Sequence, residues 1–72
     1  MSAIVIRNRI RALRTARGDF TQEQLAAACG VTRQTIIALE AEKYSPSLEL
    51  AFKLSLALGC TLDDVFQYEE KK

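Results

Sequence analysis

Apolar residues recur along the chain at helical spacing, and the runs stop at a glycine or at the single proline. In the first run Ile6, Ile10 and Leu13 stand at positions i, i+4 and i+7, which lie on one face of an α-helix. Gly18 follows as a residue suited to the left-handed conformation that ends many helices. The pattern therefore predicts a first helix that contains Ile6 and ends at Gly18.

Two shorter helices are predicted next. Thr21 with Gln24 three positions later forms a capping-box pattern at the start of helix two, and Gly30 ends that helix. Thr32 is placed to cap helix three, which we expect to run from Arg33 to about Ala41. The apolar residues expected to face inward are Leu25, Ala26, Cys29, Ile36 and Leu39, and those of helix three left outside are Arg33, Gln34, Thr35 and Ala38.

The second half of the chain predicts two more helices. The break around Pro46 leads into a helix from Leu48 to about Leu58 that Gly59 stops. Thr61, with Asp64 three positions later, caps a short fifth helix, and its acidic first turn suits the positive end of a helix dipole. The predicted core positions of helix four are Leu50, Ala51, Leu54, Ala57 and Leu58.

The two ends of the chain have residue patterns typical of β-strands. Ile4, Val5 and Ile6 are β-branched, and residues 66–68 alternate apolar with polar. We predict two short antiparallel strands, at about 3–6 and 66–69, that shield the helical core. The alternative is that residues 2–5 fray from helix one, because an isolated two-stranded ribbon is marginally stable.

Composition excludes several classes of protein. A chain of 72 residues has room for one core, so residues 1–72 are expected to form a single domain. It contains no histidine, which removes the commonest general base and a common metal ligand. Cys29 and Cys60 lack metal-site spacing, and we expect reduced core thiols in a cytoplasmic protein with no metal or cofactor. No segment is long and apolar enough for a membrane span or a signal peptide.

The charges are unevenly distributed. Residues 1–43 carry seven basic and four acidic side chains, whereas residues 44–72 carry three basic and five acidic ones. The formal net charge of the whole chain is only +1, so bulk electrostatics does not identify a partner. The asymmetry predicts that one side of the molecule is more positive than the other.

The most informative stretch is residues 22–41. It predicts two short helices, each with one apolar side, joined by a turn that contains Gly30. Glycine accepts the positive φ that such a turn needs, and the small Ala26 lets the helices cross closely. Val31, Ile36 and Leu39 can fix the angle of the second helix. This is the pattern of a helix-turn-helix.

Four strings of residues then carry a family resemblance: residues 21–26, residues 30–36, Leu39-Glu40 and residues 43–48. In this order they resemble the Xre family of phage Cro and repressor type DNA-binding domains. The resemblance covers roughly Arg7 to Phe66 and is closest to compact members that consist of this domain alone. It implies a mainly α, five-helix lambda-repressor-like domain, with short terminal strands forming a two-stranded antiparallel sheet.

The resemblance also implies roles for individual residues. Helix three is expected to lie in the major groove of double-stranded DNA, where arginine can pair with guanine, glutamine with adenine, and methyl groups with the thymine methyl. The implied base-contacting residues are Arg33, Gln34, Thr35 and Ala38, and the implied backbone-contacting residues are Gln22, Thr32, Lys43 and Tyr44. Arg14 and Glu40 match an ion pair that holds the recognition helix in place.

Two departures from the family pattern bear on this interpretation. Relatives often carry Asn-Gly where this chain has Ala41-Glu42, which removes a phosphate-binding amide and adds a negative charge. Asp19-Phe20 replaces a single apolar residue between the first two helices, and we expect Phe20 to pack inward.

A homodimer is the expected assembly, because one recognition helix reads only a few base pairs. The candidate interface residues are Phe52, Leu56, Leu62 and Phe66. The alternative is that the terminal strands cover some of them.

Three functional hypotheses follow. The first is a sequence-specific transcriptional regulator, acting as a repressor on a palindromic operator without a small-molecule ligand. The second is a protein-interaction or antitoxin-like module that uses the helix-turn-helix for assembly. The third, a small enzyme, is disfavoured because the chain has no histidine and no pair of nucleophile and base.

Overall fold

A computed structural model describes residues 3–43 and 45–71 of the chain. In chain order their elements are β1 (Ala3–Asn8), α1 (Ile10–Ala16), α2 (Gln22–Cys29), α3 (Arg33–Glu40), α4 (Leu48–Leu58), α5 (Leu62–Val65) and β2 (Phe66–Lys71). The described residues thus form five helices and one two-stranded antiparallel sheet, which confirms the predicted fold class.

The helix starts follow the predicted caps. At α2 the Thr21 hydroxyl accepts a hydrogen bond from the Gln24 amide at 3.0 Å, and the Gln24 side chain accepts one from the Thr21 amide at 2.9 Å. Thr61 and Asp64 form the second capping box. Thr32 and Ser47 cap α3 and α4 through their hydroxyl groups. These caps satisfy backbone donors that the first turn of a helix leaves free, so they fix each starting residue locally.

The start of helix one differs from the prediction. Ile6 lies on β1, and α1 begins only at Ile10. Residues 3–8 pair with residues 66–71, from Ala3 opposite Lys71 to Asn8 opposite Phe66, so each strand is two residues longer than predicted. The frayed alternative is therefore wrong: six residues of cross-strand pairing outweigh one additional helical turn that the spacing of Ile6 suggested.

The core lies where the helices meet. Its buried apolar side chains are Ile10, Leu25, Ala26, Cys29, Ile36, Leu39, Leu54, Leu58 and Val65. Leu50 and Ala57, predicted as core positions of α4, are only half-buried and pack against this cluster. Ser55 is buried instead, and its hydroxyl donates to the Ala51 carbonyl at 3.0 Å. That local bond satisfies the hydroxyl, so a polar residue occupies a position that a hydropathy pattern assigns to the surface.

The longer loop between α1 and α2 packs as expected. Phe20 is half-buried against the core, and the Arg17 guanidinium lies 5.0 Å from the centre of its ring. Arg17 also donates to the Ala57 carbonyl on α4. The additional residue in this loop is therefore accommodated without exposing the phenylalanine.

Candidate nucleic-acid interface

The turn between α2 and α3 sets the angle of α3. Gly30 has φ of +70° and Val31 donates from its amide to the Ala26 carbonyl at 3.0 Å, which closes the end of α2. On α3, Ile36 and Leu39 are completely buried. The underside of α3 is thus fixed to the core, and its opposite side faces outward.

The first turn of α3 presents two polar side chains to solvent. Arg33 and Gln34 are exposed, and within residues 3–43 and 45–71 neither side chain has a hydrogen-bond or ion-pair partner. Thr32 accepts from the Thr35 amide at 3.3 Å, so its hydroxyl has the capping role expected from the sequence. The guanidinium and carboxamide groups of this turn remain available for a ligand.

Thr35 and Ala38 are less exposed than Arg33 and Gln34. Both are half-buried; the Thr35 hydroxyl lies 3.1 Å from that of Thr32, and the chain after α3 turns back toward the Ala38 carbonyl. There the amide of Lys43 donates to the Ala38 carbonyl at 3.0 Å. Both residues, predicted to lie outside the core, remain partly exposed.

A polar network joins three helices beneath this surface. The Glu40 carboxylate accepts from Nε and Nη2 of Arg14 at 2.8 and 3.3 Å, and from Nε2 of Gln22 at 3.0 Å. Arg14 also donates to the Phe20 carbonyl at 3.0 Å. The side chains of Arg14 and Glu40 are only 12% and 6% exposed, so water screens their attraction weakly.

Gln22 therefore has a structural partner that the sequence did not reveal. Its side-chain amide is bound to Glu40, whereas the prediction treated it as free to meet a phosphate. As the first residue of α2, Gln22 still has a backbone N–H without an intrahelical acceptor. An anion at this point would meet the positive end of the helix dipole.

An open depression of about 580 Å³ is lined by residues of α1, α2 and α3. Its lining residues are Arg11, Arg14, Thr21, Gln22, Glu23, Arg33 and Glu40. Of its two carboxylates, that of Glu40 is already paired with Arg14, so Arg11 and Arg33 outnumber the remaining carboxylate of Glu23 by one charge. Nothing in the sequence spacing of Arg11 and Arg33 shows that the fold brings both to the same depression.

Beyond α3 the chain departs from expectation at Glu42. Its carboxylate, predicted to add a negative charge, lies 3.0 Å from Nη1 of Arg7 and accepts a second bond, at 3.0 Å, from the Asn8 amide. The Asn8 N–H and the Arg7 guanidinium together lower the pKa of Glu42 below its usual range. Lys43 is exposed, and Tyr44 lies outside the described residues.

The four candidate interface residues separate into two groups. Phe52 and Leu56 on α4 are exposed, Leu56 by 82%, whereas Leu62 and Phe66 are half-buried. Phe66 packs against the core. Leu48 is also exposed, and its spacing of four from Phe52 and eight from Leu56 makes one apolar stripe along α4.

The described residues offer neither a metal site nor a membrane span. No group of three or more potential metal ligands was found among them. None of the helices in residues 3–43 and 45–71 is long and apolar enough to cross a membrane.

The sequence is similar to those of known proteins. Residues 10–65 match the helix-turn-helix family. An HTH-type transcriptional regulator of Methanocaldococcus jannaschii is 48% identical over 65 residues, which cover 90% of this chain and 97% of the relative. YgzD of Bacillus subtilis, also named an HTH-type transcriptional regulator, is 44% identical over 92% of this chain and 98% of its own length. The control protein C.MunI of Mycoplasma is 35% identical over the full length of both chains.

Proposed function

The chain belongs to the helix-turn-helix family of DNA-binding regulators, of the Xre type, and from that membership we propose that it is a repressor that reads a palindromic operator as a dimer. The family makes it a regulator rather than an enzyme. The observation that carries the proposal is the first turn of α3, where Arg33 and Gln34 are exposed above a completely buried underside.

In the proposed complex α3 lies in the major groove. Arg33 pairs bidentately with O6 and N7 of a guanine, and Gln34 pairs with N6 and N7 of an adenine. The Thr35 hydroxyl is close to that of Thr32, so Thr35 contributes its methyl group, as does Ala38, in apolar contact with thymine methyls.

Contacts with the DNA backbone flank this turn in the proposal. The backbone amide of Gln22 meets a phosphate at the start of α2, and Thr32 and the exposed Lys43 meet phosphates on either side of α3. Tyr44 is proposed as a further contact from the sequence alone. The cationic depression beside Arg11 and Arg33 supports a path for the phosphate chain.

The proposed dimer forms through the apolar stripe of α4, Leu48, Phe52 and Leu56. In the proposed dimer the two recognition helices lie about 34 Å apart, the distance between successive major grooves. The name of the control protein C.MunI supports a regulatory role. The site of action is then the cytoplasm of a prokaryotic cell.

The first experiment selects the purified protein against a random duplex library near physiological salt, because nonspecific attraction weakens steeply as salt rises. Enrichment of an inverted repeat with half-sites about one turn apart is expected. Enrichment of an isolated half-site would contradict the dimer but would still support sequence-specific DNA binding. No enrichment by folded protein would contradict DNA reading and favour the protein-interaction module.

Substitution then tests the residues. Replacing Arg33 and Gln34 together by alanine should abolish recognition of the selected operator while the protein remains folded, since both side chains are exposed. Arg9→Ala is the matched control, because it also removes one exposed positive charge but lies before α1. Equal losses of operator affinity in the double variant and in Arg9→Ala would show that only the positive charge, and not its position on α3, matters for binding.

The dimer has its own test. Leu56→Lys should produce a monomer in analytical ultracentrifugation and retain weak half-site binding, because a residue this exposed contributes little to the monomer's fold. Tyr68→Lys, at another exposed apolar position, on β2, should leave the dimer intact. The reverse pattern would move the proposed interface to the sheet.

A further inference from the structure

The end of β1 binds the segment in which α3 ends. Nδ2 of Asn8 donates to the Leu39 carbonyl at 2.7 Å, and the Asn8 backbone amide donates to Oε2 of Glu42. Arg7 binds the other oxygen of Glu42 and, through Nε, reaches Glu69 on β2 at 2.9 Å. We call the contacts of Arg7 and Asn8 with Leu39 and Glu42 the strand clamp.

Glu42 occupies a backbone position that normally takes glycine. Its φ is +59°, and its amide donates to the Leu39 carbonyl while that of Lys43 donates to the Ala38 carbonyl. This is a Schellman motif with glutamate at the left-handed residue, where a side chain introduces strain. Glycine would relieve the strain, but it has no carboxylate with which to bind Asn8 and Arg7. The side chain thus makes contacts that the usual residue lacks.

We propose that the strand clamp positions α3 for base reading, so that Asn8, Arg7 and Glu42 determine specificity without touching DNA. The proposal rests on the proposed function. A helix of eight residues is about 12 Å long, so a tilt of about 10° about its C-terminal end moves its first turn by roughly 2 Å. Pairing with a base tolerates a displacement of only about 0.5 Å. A small tilt of α3 about its C-terminal end therefore changes which base atoms Arg33 and Gln34 can reach.

The remaining attachments of α3 do not replace the clamp. The network of Arg14, Gln22 and Glu40 joins α3 to α1 and α2 on one side, and the Thr32 cap is internal to α3 and its preceding residue. Only the strand clamp connects the end of α3 to the sheet through hydrogen bonds of the described residues. The strand clamp therefore restrains movement of the end of α3 relative to the sheet, which the network of Arg14, Gln22 and Glu40 does not.

The test compares two neutral substitutions. Asn8→Ala removes a donor to the Leu39 carbonyl and an acceptor of the Ile10 amide. Gln67→Ala is the matched control on the same sheet, because its carboxamide also makes two bonds to backbone, to the carbonyls of Asp63 and Asp64. For each protein, fluorescence anisotropy gives the affinity for the selected operator and for a scrambled duplex of equal length.

Asn8→Ala is expected to lower the ratio of operator to scrambled affinity about tenfold or more, while affinity for the scrambled duplex changes less than about twofold. Gln67→Ala should keep the wild-type ratio. Glu42→Gly provides a second variant that suits the positive φ and folds without the carboxylate. Its ratio should fall as well, although loss of a negative charge does not weaken its binding to the scrambled duplex.

Two results would overturn the strand clamp: wild-type ratios for both Asn8→Ala and Glu42→Gly, or an equal fall for Gln67→Ala. Failure of the proposed function looks different, because the wild-type protein would then fail to discriminate between the two duplexes. Hydrogen exchange at the amides of Glu42 and Lys43 completes the comparison. Faster exchange in Asn8→Ala than in Gln67→Ala supports loosening at the end of α3, and equal exchange contradicts it.

Discussion

Replacing Glu40 by alanine should destabilise the protein far more than replacing Arg7. Glu40→Ala leaves Arg14 without its carboxylate and Gln22 without its acceptor, in a site where both members of the ion pair are mostly buried. Removing one partner of a buried pair costs about 3–5 kcal/mol. Arg14 keeps its bond to the Phe20 carbonyl, which favours the lower end of this range, about 3 kcal/mol.

This free energy converts into a large thermal shift. At about 2.1 cal/mol/K per residue, the unfolding entropy of a chain this size is roughly 0.15 kcal/mol/K, so Tm should fall by about 20 °C. Arg7→Ala breaks two ion pairs, but the Arg7 side chain is 42% exposed and water replaces its partners, so its Tm should fall much less.

Circular dichroism melts and urea titrations of the two variants provide the measurement. Glu40→Gln keeps the shape of the side chain and one carbonyl acceptor, so the Tm of this variant should lie between those of wild type and Glu40→Ala. Equal melting temperatures for Glu40→Ala and Arg7→Ala would refute the reasoning, because they would mean that burial of the ion pair does not govern its contribution.

Three further predictions concern single side chains. Folding lowers the pKa of Glu42, so the contribution of this carboxylate to stability is complete above the ordinary pKa near 4.3 and is lost as the pH falls through the lowered pKa. The difference in unfolding free energy between wild type and Glu42→Gln should therefore shrink in acid, and a difference that stays constant with pH would contradict this prediction. Gly30→Ala should cost about 1–2 kcal/mol from its positive φ alone, since an added Cβ meets no atom within 4 Å; an unchanged Tm in a thermal melt would disprove it. Burial raises the pKa of the Cys29 thiol, so iodoacetamide should label Cys60 first in native protein, and mass spectrometry showing equal rates would be inconsistent with the fold.

The helices could be predicted from the sequence because their caps are local. Thr21 with Gln24, and Thr61 with Asp64, place both partners within four residues, so short strings contain the whole interaction. The helix-turn-helix follows from the same local signals together with Gly30.

The parts that could not be predicted depend on residues far apart in the chain. Helical spacing assigned Ile6 to a helix, whereas pairing of β1 with residues 66–71 places it on a strand. The contact between Glu42 and Arg7 spans 35 positions, so the sequence suggested only an additional negative charge. The Arg14 and Glu40 pair was anticipated through the family resemblance, but the Gln22 amide bound to the same carboxylate was not.

The ribbon of β1 and β2 has a consequence for the order of events during synthesis. Asn8 pairs with Phe66, so every helix has been made before the strand that completes the sheet exists. Closing so long a loop is entropically costly, and pairings of such separation form late in folding. The caps and the core can form on the growing chain, whereas the sheet must wait for residues 66–71. A fragment that stops at Val65 would therefore present a recognition helix whose far end has not yet been tied to a finished sheet.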